Sequence, residues 1–196
     1  MSLMTEKTPT LLDLEQMTIA DGEGWAITHV RRLLKLVDEI GAETPHDSQA
    51  LTIAIYLHDW GAFPRYAQKG VEHALRSRQV AETEILPGME LSPAAKGVIL
   101  ETIERHDFRD PRPVTSNEGL LLREADMLDF LGVIGIVREF AWGPKDLAVS
   151  LRRILAKRDA IQGRFSLPQA RQMAQVRLER MAQTLRWLDE ESYGIG

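Results

Sequence analysis

The sequence predicts an all-α protein, and three observations carry that expectation. Apolar residues recur at three- and four-residue steps through most of the chain, which is the period of one helix face. No stretch alternates apolar and polar residues long enough to make a half-buried strand. Punctuation falls where helices start and stop: Ser92-Pro93 is a side-chain cap followed by proline at the first helical position, and Gly41 and Pro87-Gly88 are stops.

Taken in order, the first helix is expected from about Glu23 to Ile40, ending at Gly41. The second starts near Asp47 or Ser48 as N-cap and ends before Gly61, because Gly61-Ala62-Phe63-Pro64 does not continue a helix. A third spans roughly Val71 to Leu86, and a fourth opens at Ser92-Pro93. The segment from Asp107 to Asn117 carries two prolines and reads as a loop, followed by a helical run from Glu118 to Trp142 with a break around Gly132 to Gly135. Pro144 is expected to open another helix. The last begins at Ser166-Leu167-Pro168 and places Ala174, Leu178, Met181, Leu185 and Leu188 on one stripe. That stripe reads as core packing, with a homodimer face as the alternative. No internal repeat or linker is visible, so residues 4–196 are expected to form one domain, with Met1-Ser2-Leu3 ahead of Met4 read as a tag remnant.

Composition narrows the chemistry. Hydrophobic residues make up 44% and charged residues 27% of the 196, the profile of an ordinary globular protein. The absence of cysteine excludes disulfides, thiolate zinc sites, iron–sulfur clusters and cysteine nucleophiles, so any metal must be held by nitrogen and oxygen. No apolar run approaches the roughly 18 residues of a membrane span, and the N-terminus has no secretory pattern; a cytoplasmic protein with no membrane partner is expected. A net charge of −5 without a dense Lys/Arg block argues against dedicated nucleic-acid binding. A small phosphorylated ligand needs only a local basic pocket.

Polar residues stand where apolar ones belong. His29 shares a helix face with Trp25, Leu33 and Leu36; His58 shares one with Leu51, Ala54 and Ile55; His106 follows Ile99 and Ile103; Asp126 lies between Leu122 and Phe130. A carboxylate buried without a partner costs several kcal/mol, so Asp126 must be protonated, ion-paired or bound to a cation. A single buried histidine usually just hydrogen-bonds a carbonyl, but imidazoles and carboxylates arriving together are the ligand set of a divalent first-row metal. Adjacent helical residues point about 100° apart, so His58 and Asp59 reach one ion only at a helix end, where Gly61 lets the chain turn away.

The order His29, His58-Asp59, Asp126 resembles the signature of the HD superfamily of metal-dependent phosphohydrolases. Ile55-Tyr56-Leu57-His58-Asp59-Trp60-Gly61 and Glu124-Ala125-Asp126-Met127-Leu128-Asp129-Phe130-Leu131-Gly132 are similar to the family's two motif flanks, and the match covers residues from about 25 to 142. The resemblance implies a compact helical domain of the HD type in which His29, His58, Asp59 and Asp126 bind a divalent ion (Mn, Mg, Ni, Co, Fe or Zn). That ion would activate water for attack on phosphorus. It further implies a small phosphorylated substrate, a nucleotide first, with pyrophosphate release from a nucleoside triphosphate as the specific expectation. Asp59 is the first choice to orient or deprotonate the water.

Some family members insert two histidines before the last aspartate to hold a second metal, and His73 and His106 resemble them in order and spacing; contact with substrate phosphate or proton donation are the alternatives. Many members follow the pair with Gly-Lys, whereas Gly61 here precedes Ala62, so that lysine's phosphate contact does not carry over. Arg65, Lys69, Arg76 and Arg109 are its candidate replacements, Arg76 standing one turn from His73, with a solvated surface charge as the alternative for each. Glu72 is the candidate general acid, and Asp129 the candidate to hold a histidine or arginine in place. Trp60 and Phe63 either stack on a base or cap the core. Two other functions compete: a non-catalytic nucleotide-sensing module and di-iron oxygen chemistry.

Overall fold

The computed structural model describes residues 8–143 and 145–194, so the expected tag remnant and the expected helix start at Pro144 lie outside the described residues. The fold is all-α: among the described residues there are α-helices and short helical turns and no strand. No helix among them is long and apolar enough to cross a membrane. The chain divides into two compact units, the first ending at Arg123 and the second beginning at Glu124.

In the first unit α1 (Leu11–Asp21) precedes the first helix expected from sequence. Its N-terminus is closed by a reciprocal capping box between Thr10 and Asp13, but its buried residues are Leu14 and Thr18, one of them polar, so its apolar period is faint. Thr18 is satisfied locally: its hydroxyl donates to the Leu14 carbonyl and accepts from the Trp60 indole N–H. α2 (Trp25–Ile40) starts two residues later than expected. Glu23 and Gly24 have φ of 51° and 73°, a left-handed pair through which a right-handed helix cannot run.

α3 (Ser48–Leu57) begins where the sequence indicates, with the Asp47 carboxylate accepting from the Gln49 and Ala50 N–H groups. It is buried along almost its whole length and packs against α1, α2 and α5 (Pro93–Arg105). α4 (His73–Val80) is shorter than expected because its coil widens into a π turn over Ala81–Ile85 and then tightens at Leu86–Gly88. Ser92 caps α5 through the Ala95 N–H.

α6 (Asn117–Asp129) carries the junction between the units. The break expected at Gly132 comes slightly earlier, at Phe130 and Leu131, because Gly132 already opens α7 (Gly132–Trp142) with a φ of 75°. α7 packs on α8 (Leu147–Ile161) and α9 (Pro168–Glu191). Glu124 accepts the Ser166 and Leu167 N–H groups at the start of α9. On the α9 stripe Ala174 and Met181 are buried and Leu178, Leu185 and Leu188 are half-buried.

Candidate metal centre

His58 terminates α3 and His106 terminates α5, and both rings turn back on their own helices: His58 Nδ1 lies 2.7 Å from the Ile55 carbonyl and His106 Nδ1 lies 2.7 Å from the Ile103 carbonyl. A carbonyl only accepts, so each Nδ1 carries a proton and each ring turns its Nε2 away from its own helix; when the ring is neutral, that Nε2 offers a lone pair. His29, buried on α2, meets the first of these nitrogens with an Nε2–Nε2 separation of 3.2 Å. His73, the first residue of α4, meets the second at 3.3 Å. Something positive, a proton or a metal ion, must lie within each pair.

Asp59 stands between the pairs with one oxygen toward each. Its Oδ2 is 3.3 Å from His58 Nε2 and 3.8 Å from His29 Nε2. Its Oδ1 is 3.5 Å from His73 Nε2 and 3.7 Å from His106 Nε2. Burial alone would raise its pKa, but His58, His73 and His106 outweigh burial and hold the carboxyl well below the usual carboxylate range. Two ligands bonded to one ion at ~2.1 Å stand ~3–3.5 Å apart, close to these separations, so the donor set fits a divalent ion. His29, His58 and Asp59 can hold one ion, and Asp59, His73 and His106 can hold one.

The approach of α4 depends on Gly61. Its N–H donates to the Ser77 hydroxyl at 2.8 Å, and a Cβ there would fall 2.2 Å from the His73 carbonyl and 2.6 Å from the Ser77 nitrogen. Only glycine allows the turn after Asp59 to lie this close to the helix that carries His73.

The remaining expected site residues are distributed as follows. Asp126 is a buried residue of the second unit, as is Asp129, whose carboxylate pairs with Arg138 at 2.5 Å. Arg76 donates from Nε to the Tyr66 carbonyl at 2.7 Å and so ties the loop before α4 to that helix. Arg65 is exposed and paired with Asp21, and Lys69 is exposed. Glu72, 79% exposed, lies 3.8 Å from His73 Nδ1 and 3.8 Å from the Arg109 guanidinium. Trp60 and Phe63 are fully buried, which assigns them to the core and removes them as a base-stacking platform.

Asp107 is a site neighbour that the periodicity argument missed, although the sequence holds a signal for it: a second His-Asp dipeptide at 106–107. Asp107 Oδ2 is 3.8 Å from His73 Nε2, and Arg109 grips the same carboxylate through its backbone N–H and guanidinium. Burial raises the Asp107 pKa, and Arg109 and His106 more than reverse that, leaving it lowered. A cavity of about 300 Å³ opens beside this loop, lined in part by Glu72, Asp107, Arg109 and Arg112. The loop is pinned: Glu101 accepts from Thr115 and Ser116, Arg105 donates to the Pro113 carbonyl, and Arg112 pairs with Glu104 and Asp110.

No match was found among curated proteins. Among solved structures the chain is similar to a predicted HD superfamily hydrolase from an uncultured Thermotogales bacterium, at 27% identity over 92% of this chain and 90% of that one, with a TM-score of 0.65. It shares its fold with Bacillus subtilis YpgQ in complex with ADP (22% identity, 95% and 100% covered, TM-score 0.68) and with an HD-superfamily hydrolase from Bacillus thuringiensis (21%, 93% and 94%, 0.62). The family model described as the HD domain matches residues 26–131, more than half of the chain. The chain belongs to the HD-domain family.

Proposed function

We propose that the chain is a metal-dependent phosphohydrolase acting on a small phosphorylated molecule, a nucleotide first of all. The observation that carries this reading is the Asp59 carboxylate held between two imidazole pairs, one oxygen toward each. His29, His58 and Asp59 would hold one divalent ion and Asp59, His73 and His106 a second; Asp126 joins the first set on the strength of the family motif alone. A divalent ion bound there would lower the pKa of water and offset charge developing on phosphoryl oxygens. The nitrogen and oxygen donors suit Mn, Mg, Ni, Co, Fe or Zn.

The chain's own residues supply the rest. The carbonyls of Ile55 and Ile103 fix the tautomers and ring orientations of His58 and His106. Asp59, kept anionic, can orient the attacking water by accepting a hydrogen bond from it. Arg109 is 61% exposed at the cavity rim, so its guanidinium can reach a phosphate, and Glu72 beside it can donate a proton to a leaving oxygen. The nucleotide assignment is supported by the shared fold with YpgQ, which was crystallised with ADP; hydrolysis is supported by the neighbours named HD superfamily hydrolases.

The test is a panel of nucleoside mono-, di- and triphosphates, sugar phosphates and phosphodiesters, assayed for phosphate and pyrophosphate with each candidate metal. Pyrophosphate from triphosphates by the parent protein, absent in Asp59→Asn, is the expected result. Tight nucleotide binding without turnover under every metal would replace the hydrolase with a sensing module.

A further inference from the structure

We infer that the guanidinium of Arg112 is a stacking platform for a nucleobase, so that the base of a nucleotide lies in the cavity beside the Asp107 loop while its phosphate lies toward the candidate ions. The inference rests on the nucleotide reading proposed above and names the residue that would make a base, rather than a bare sugar phosphate, the preferred ligand.

The segment Asp107-Phe108-Arg109-Asp110-Pro111-Arg112 carries two successive Asp-x-Arg steps, and the structure folds them alike. In each, the aspartate Oδ1 accepts the backbone N–H of the arginine two residues on, at 2.8 Å in the first step and 2.9 Å in the second. In each, both carboxylate oxygens accept from the arginine Nε, and Oδ2 also accepts from a terminal nitrogen. The two arginines differ in place. The first step adjoins the candidate ions, since Asp107 lies 3.8 Å from His73 Nε2. The second stands away from them, its Arg112 reaching back to Glu104 on α5 at 2.7 Å. Both arginines line the same cavity of about 300 Å³, to which Ala74 and Leu75 contribute an apolar wall. That volume is at the small end of ligand pockets and suits a single ring system.

The bonds of Arg112 suit a ring better than a phosphate. Each of its three guanidinium nitrogens donates to a carboxylate, Nε and one terminal nitrogen to Asp110 and the other to Glu104. Such donors point along the guanidinium plane, so the plane is fixed by its edges and its faces take no part. Glu104 also pairs with Arg78 Nε at 3.0 Å, which sets two carboxylates against two guanidiniums and leaves no surplus positive charge for a phosphate. A planar uncharged ring has no such need, and arginine stacks on ring faces. The Arg112 side chain is 48% exposed, and the cation–ring contacts found among the described residues involve Arg65, Arg138 and Lys157 instead. Because the neighbouring carboxylates already hold the guanidinium in place, a base that stacks on it immobilises no further side chain. Leu75, 40% exposed on α4, offers apolar contact to the same ring.

Protein loaded with Mn²⁺ is titrated by calorimetry with adenosine 5′-monophosphate and with ribose 5-phosphate, which share sugar and phosphate and differ by the base. The variants are Arg112→Lys, which keeps the charge and removes the plane, and Leu75→Ala, which leaves the carboxylate pairs intact; thermal unfolding checks the fold of each. The parent protein is expected to bind the nucleotide at least tenfold more tightly than ribose 5-phosphate. Arg112→Lys should weaken the nucleotide at least fivefold with ribose 5-phosphate unchanged, and Leu75→Ala should act in the same direction. Equal affinity for the two ligands in the parent protein overturns the inference while leaving a phosphohydrolase of another substrate standing, and so does a preference that survives in a folded Arg112→Lys. Failure of the loaded parent protein to bind either ligand overturns the nucleotide reading and this inference together. Should Arg112→Lys lose its cooperative transition, Leu75→Ala decides: an undiminished preference for the nucleotide there overturns the placement of the base in this cavity.

Discussion

His29 Nε2 and His58 Nε2 face each other 3.2 Å apart, on rings that are each at least 99% buried and that come from helices 29 residues apart in sequence. A proton shared between them, or a metal ion bonded to both, satisfies the pair. An ion that binds the folded chain and not the unfolded one stabilises it by about 2.7 kcal/mol at a concentration 100 times its dissociation constant. For a protein of this size that is a Tm rise of about 5–10 °C. Differential scanning fluorimetry of metal-free protein with added Mn²⁺ should show the rise, chelator should reverse it, and His58→Ala, which loses a ligand of the first set, should reduce it.

The Gly61 contact predicts a coupled loss. Gly61→Ala puts a methyl group against the backbone of His73 and Ser77, and such overpacking costs about 1–3 kcal/mol. Because the displaced element carries His73, the variant should show a lower denaturation midpoint together with weaker uptake of the second ion. A variant that loses stability but retains both ions at full affinity would show that His73 does not depend on this close approach.

Glu124 predicts a purely structural effect. Its carboxylate accepts the Ser166 and Leu167 N–H groups that begin α9, and removing it leaves two buried or half-buried donors without that partner. Glu124→Ala should cost about 1–3 kcal/mol in urea unfolding, with metal binding unchanged in the native baseline.

The loop after His106 predicts an acid-sensitive term. Burial raises the Glu101 pKa, but Ser116 and Thr115 donate to the carboxylate and lower it overall; Asp110 is brought down to about 2, chiefly by its hydrogen bonds with Arg112. A carboxyl whose folded pKa is depressed stabilises the fold above its unfolded pKa and loses that contribution as pH falls through the folded value. The Tm should therefore drop between about pH 4 and pH 2, and Glu101→Gln with Asp110→Asn should flatten that slope. An identical slope in the double variant would remove these two groups as its source.

Much of the site was legible because helical period is a strong signal in amphipathic segments. His29, His58 and His106 interrupt apolar faces, and a polar residue on such a face needs a reason to be there. The dipeptide at 58–59 was legible as a helix end because Gly61 follows it. α1 was not legible, since its buried face is Leu14 and a threonine that bonds its own backbone. The narrow α span of α4 was hidden because a π turn keeps a near-helical period. Asp107 escaped because it lies beyond the helix end, where no face is defined. The basic residues were the weakest inference: nothing in sequence distinguishes Arg76, which holds the Tyr66 carbonyl, from Arg109, which stands at the cavity rim.

The proposed function makes hydrolysis at phosphorus depend on the ions held around Asp59. Its most direct test adds Mn²⁺ stepwise to metal-free protein while bound metal and product released from the best substrate of the panel are measured in the same samples. No turnover is expected without metal, turnover should rise in proportion to ions bound, and Asp59→Asn should show none at any metal concentration. Turnover that persists in chelator, or fully loaded protein that releases no phosphate or pyrophosphate from any substrate, would contradict it.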